Sequence, residues 1–128
     1  MVRGVMVVFL AVFLGWAVPV WAQPQGELNA TAAAELGAAD AVLNALYQKI
    51  LADRAEDPGF CADLREAQRA WLKFVDYHLK TVFPLKAGEN LREVYGSMYS
   101  LDFAVMKTVL LNQRVEQLKA LVKLAEER

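Results

Sequence analysis

Apolar residues recur along the chain in three helical registers separated by two breaks. Leu28, Ala32, Leu36, Ala39, Leu43, Leu46 and Ile50 fall every three or four positions, one face of a helix over about residues 28–55. Asn29 or Thr31 suits its N-cap. Asp57-Pro58-Gly59 ends that run and starts the next. Asp57 is a good N-cap, and Pro58 at the first helical position lacks an N–H that would have no partner there. The second run continues to about Val82, with Phe60, Leu64, Ala67, Trp71, Phe74, His78 and Val82 on its apolar face, and Pro84 stops it. Residues 84–90 form a loop leading into one helical turn over 91–95, which Gly96-Ser97 interrupts.

The third long helix is expected from about Ser97 to Glu126, capped by Ser97 or Ser100. Leu101, Ala104, Thr108, Leu111, Val115, Leu118, Val122 and Ala125 alternate three and four apart, a seven-residue repeat. Two readings of this seam stand: it packs along the other helices, or it pairs with a second copy. Such a helix reaches about 45 Å, so its last two turns are expected to extend past the second. No strand alternation competes. The pattern predicts an all-α domain, an antiparallel three-helix bundle with a long C-terminal helix.

The front of the chain differs in kind. Eighteen of the first 22 residues are apolar, all but Arg3, Gly4, Gly15 and Pro19. A positive start, an apolar run over residues 5–20 and the small-x-small sequence Val20-Trp21-Ala22 fit an export signal at 1–22, cut before Gln23. A retained anchor is the rival; the late Pro19 and the lack of a following Lys/Arg cluster count against it. The domain is then 23–128, in the periplasm or secreted, with no membrane association after cleavage.

Composition narrows the chemistry. The 128 residues carry a formal charge of −1, with no basic stripe for nucleic-acid binding. One Cys and one His cannot build a structural zinc site or an internal disulfide. No nucleophile elbow, phosphate-binding Gly-rich loop or paired-carboxylate motif is present, so no enzyme, cofactor or metal is expected. His78 reads as a core or boundary histidine. Cys61, in the first turn of the second helix, reads as a small buried hydrophobe, with a labile thiol or intermolecular disulfide as the other reading.

Two polar or aromatic groups remain. Asp40, Asn44 and Tyr47 line one stripe of the first helix, and Gln68, Arg69, Trp71 and Asp76 crowd the second. Together they suit a polar network between the helices that fixes register, or a small ligand pocket. Tyr95-Gly96-Ser97-Met98-Tyr99-Ser100 offers tyrosines, a methionine and small polar residues around a glycine break. It reads either as a contact surface for a partner or as a helix-entry turn whose aromatics pack inward.

The ordered set Leu28-Asn29, Asp40-x-x-Leu43-Asn44-x-x-Tyr47, Leu64-x-x-Ala67-Gln68-Arg69-Ala70-Trp71-x-x-Phe74, Gly96-Ser97 and Arg114-x-x-x-Leu118 resembles the lysozyme inhibitor LprI-like N-terminal domain family. The resemblance spans nearly all of 23–128 and implies an exported, mostly helical bacterial protein that inhibits peptidoglycan-cleaving glycosidases without catalysis. Members commonly carry cysteines where this chain has Thr31, Leu79 and Met106; Cys61 matches none of those positions and inherits no role. The expected partner is a lysozyme or another peptidoglycan hydrolase. Local chemistry places the contact at Tyr95, Ser97, Met98 and Tyr99. Ser97 and Tyr99 would donate to the enzyme's carboxylates, Tyr95 and Met98 would cover apolar wall, and Glu89, Glu93 and Asp102 would steer a basic enzyme. The alternative is a periplasmic adaptor with no inhibitory activity, self-associating through an exposed seam on the third long helix.

Overall fold

The computed structural model describes residues 24–128; the expected export signal at 1–22 lies outside the described residues. The order is α1 (Gln25–Asp53), α2 (Pro58–Val82), α3 (Leu91–Tyr95) and α4 (Tyr99–Glu126). The described chain is all-α, and its packing rests mainly on α1 against α4.

Helix ends follow local chemistry, although not always from the expected residue. Asp57 caps α2 as its sequence predicts: its side chain accepts from the Phe60 N–H at 2.9 Å, with Pro58 in the first turn. Neither Asn29 nor Thr31 caps α1, which starts at Gln25, three residues before the expected Leu28, after Pro24, whose carbonyl accepts the Glu27 and Leu28 N–H groups. Asn29 instead accepts from Gln25 Nε2 at 3.0 Å inside the helix. Neither Ser97 nor Ser100 caps α4; the Met98 carbonyl takes the Leu101 and Asp102 N–H groups. The N-cap positions fall on Pro24 and Met98, so the expected side chains do not stand where they would accept the first-turn N–H groups.

The core is built from Ala39, Leu43 and Ile50 of α1, Leu64 of α2, and Leu111, Val115 and Leu118 of α4. Small Ala32 and Ala39 on α1 and Ala104 on α4 are buried at this contact, and small side chains shorten the distance between helix axes. The seam of α4 therefore faces inward: Leu111, Val115 and Leu118 are buried and Val122 packs against the core. This corrects the expectation of an exposed seam. The surface needed for pairing through Leu111, Val115, Leu118 and Val122 is covered by the chain's own α1, while past Leu118 only Val122 and Ala125 are half-buried and Leu121 and Leu124 are exposed.

The buried line of α2 also differs from the expected one. Cys61, Leu64, Gln68, Val75 and Leu79 point inward, whereas Ala67, Phe74 and Val82 are exposed. The face is rotated by one position because a polar residue, Gln68, sits in the interior with a partner of its own.

Contacts across the helices fix their directions. Cys61 Sγ donates to the Arg54 carbonyl at 3.2 Å, with the Leu51 carbonyl at 3.7 Å, so the thiol ties the start of α2 to the end of α1, beside the Asp57 N–H that the Arg54 carbonyl also accepts. With Asp40 and Tyr47 sharing a cleft with Gln68 and Trp71, α2 runs antiparallel to α1. Gln68 meets Arg114 and Phe83 meets Tyr99, so α4 runs antiparallel to α2. It follows that α1 and α4, the most closely packed pair, are parallel.

Candidate partner-binding turn and polar cleft

The 95–99 segment sits on an aromatic platform. Phe83, which follows α2, meets the ring edges of Tyr95 at 5.4 Å and Tyr99 at 5.1 Å, and Tyr99 lies 5.6 Å from Phe103. The Tyr95 hydroxyl donates to the Pro84 carbonyl at 2.6 Å, closing the loop between α2 and α3. Inside that loop the Lys86 N–H donates to Glu89 Oε2 at 2.8 Å, and Asn90 caps α3 by accepting from the Arg92 N–H at 2.9 Å. Gly96 then turns the chain out of α3 at φ 73°, a conformation that glycine adopts without steric cost.

This geometry divides the four expected contact residues into two pairs. Ser97 and Met98 are exposed at the tip, with Val94 exposed nearby in sequence. Tyr95 and Tyr99 are half-buried. Tyr95 already spends its hydroxyl inside the molecule, and burial pushes the Tyr99 phenol above its ordinary pKa. Glu93 and Asp102 are exposed on either side of the turn in sequence, while Glu89 is engaged within the loop.

The second group converges on a cleft of about 240 Å³ lined by Asp40, Asn44, Tyr47, Gln68, Arg69 and Trp71. Its hydrogen bonds follow a different plan from a network between the first two helices. Asn44 donates to Asp40 at 3.1 Å along α1, and Arg69 pairs with Glu66 along α2. Asp76 lies outside the cleft and pairs with Lys80 at 2.8 Å. The polar bond that joins helices runs from Arg114 Nε to Gln68 Oε1 at 3.0 Å. Arg114 also donates to Gln117 at 3.1 Å and lies 5.8 Å from the Trp71 ring centroid, and burial lowers its pKa. Arg114 is the participant that reasoning from the two stripes missed. Its sequence signal was a cation directly beside the inward seam, between Leu111 and Val115. His78 is half-buried and stacks on Phe74 with ring centroids 5.3 Å apart.

Among the described residues no group of three or more His, Cys, Asp or Glu is placed to hold a metal, and no helix is long and apolar enough to cross a membrane. The family model described as lysozyme inhibitor LprI matches the chain over residues 20–118. The chain belongs to that family. No curated protein and no solved structure matches it. Membership in the LprI family makes this a noncatalytic, protein-binding chain rather than an enzyme. Of the three positions where the family resemblance implies cysteines, Leu79 is buried, Met106 half-buried and Thr31 exposed.

Proposed function

We propose that this LprI-family chain is an exported envelope protein, periplasmic or secreted, that inhibits lysozyme-type peptidoglycan hydrolases by occupying their sugar-binding cleft. We read its helices as a three-helix bundle whose task is to hold one turn in place. The supporting observation is the exposed 96–98 turn, carried on a platform of packed aromatics in a chain of this family. A glycosidase cleft presents two carboxylates that substrate must reach. The Ser97 hydroxyl donates to one of them, while Met98 and Val94 lie against apolar wall. Tyr95 and Tyr99 act from behind, keeping the turn in one conformation so that little freedom is lost on binding. Glu93 and Asp102 favour approach of a basic enzyme. The adaptor reading has less support, because the seam it needs is buried.

The test uses protein recovered from the envelope of cells expressing the full chain, titrated into peptidoglycan-lysis assays with lysozymes of several structural classes. Stoichiometric inhibition is expected. The double variant Ser97→Ala/Met98→Ala is expected to weaken it at least about thirtyfold, as loss of a central contact of about 2 kcal/mol does, with an unchanged circular dichroism spectrum. Full inhibition by that variant would remove the turn from the mechanism. No inhibition by the parent across the panel would overturn the inhibitor reading. The protein's own N-terminus, expected at Gln23, tests the export signal.

A further inference from the structure

The aromatic platform is also one wall of a cavity that the proposed inhibition does not use. Of about 580 Å³, it opens between α2, the 84–90 loop, α3 and α4, with Val75, Leu79, Leu85, Leu91 and Phe103 among its apolar lining. That volume is in the range of small-molecule sites. Three charged side chains lie at the cavity: Asp76, Lys80 and Lys107. Asp76 and Lys80 neutralise each other at 2.8 Å. Lys107 is half-buried, its ammonium lies 5.9 Å from the Phe103 ring centroid, and among the described residues it has no carboxylate partner. The cavity is thus an apolar trough with one net positive charge.

We infer that this cavity binds a single-chain anionic amphiphile, a medium-length fatty acid, with its carboxylate at Lys107 and its tail along Leu79, Leu85 and Leu91. Apolar walls by themselves select for a tail, and an ammonium without a carboxylate partner selects for an anion. A fatty acid supplies both in one molecule. Its carboxylate gives Lys107 the partner that the fold withholds, and its tail covers apolar surface that the loop leaves open. The site is independent of the inhibition proposed above, since neither Ser97 nor Met98 lines it.

Isothermal titration of the envelope-recovered chain tests this with octanoate, decanoate and dodecanoate, each below its aggregation concentration, and with dodecanol as the uncharged control. One site is expected, its affinity rising roughly two- to fourfold for each added methylene and dodecanoate binding more tightly than dodecanol. Lys107→Met, which keeps the aliphatic stem, is expected to weaken dodecanoate about tenfold, as loss of one charge-assisted contact does, and to leave dodecanol unchanged. Leu85→Asp alters an exposed wall residue without touching the core and is expected to abolish binding of both. Absence of binding would overturn the inference. So would an affinity independent of chain length, dodecanol equalling dodecanoate, or both variants binding like the parent.

Discussion

The Gln68–Arg114 bond offers a measurable test of how α2 is held. Gln68 is only 7% exposed, in line with the apolar face of its helix, and Arg114 Nε donates to it at 3.0 Å. A hydrogen bond to a charged group contributes about 1.5–3 kcal/mol; the guanidinium here is half-buried, which argues for the lower end. Gln68→Leu loses that bond but gains apolar burial, for a net loss of about 0.5–1 kcal/mol. Arg114→Met is worse. It strands a buried amide, costing about 1–3 kcal/mol, and removes the cation beside Trp71, which contributes about 0.5–1 kcal/mol. The combined variant has no stranded amide and should lose only about 1 kcal/mol, well short of the sum of the two single losses. Urea unfolding followed by far-ultraviolet circular dichroism gives all three values on one scale. Coupling of about 1.5 kcal/mol or more is expected. Single losses that simply add, within about 0.5 kcal/mol, would mean that the bond does not join α2 to α4.

Two further predictions concern the core and the platform. Leu118, fully buried where α4 meets α1, should lose about 2–5 kcal/mol on change to Ala; a midpoint shift in urea worth under about 1 kcal/mol would place the core elsewhere. For Tyr99, burial raises the phenol pKa, so the folded state holds its proton more tightly than the unfolded chain. This contribution is whole below about pH 10 and is lost as pH rises through the folded-state pKa. Stability of the parent should therefore fall more steeply on the alkaline side than that of Tyr99→Phe, and superimposable profiles would contradict the assignment.

Where an element's fate depends on its neighbours in sequence, the sequence was readable. Asp57-Pro58 gave the start of α2 because an N-cap acts over three residues. The seam of α4 was legible because a seven-residue repeat leaves one inward face. The face of α2 was not, because Gln68 is admitted to the interior by an arginine 46 residues away. The same limit applies to the candidate site. The glycine break and the single helical turn before it were visible as local signals, and they placed the turn correctly. Which aromatics face out was not visible: Tyr95 and Tyr99 turn inward because Phe83 and the Pro84 carbonyl await them across the loop.

The parallel course of α1 and α4 gives the molecule a front and a back. The start of α1 lies at the same end as the 96–98 turn, and the bend between α1 and α2 lies at the other, near the C-terminal end of α4. A chain held to a lipid bilayer by its first residues would point the turn down at that bilayer, with its blunt opposite end toward the cell wall. On the inhibitor function proposed above, cutting after Ala22 would do more than complete transport. It would free the molecule to tumble, so that the turn would meet a diffusing enzyme from any direction, and proteolytic release would be the step that arms it.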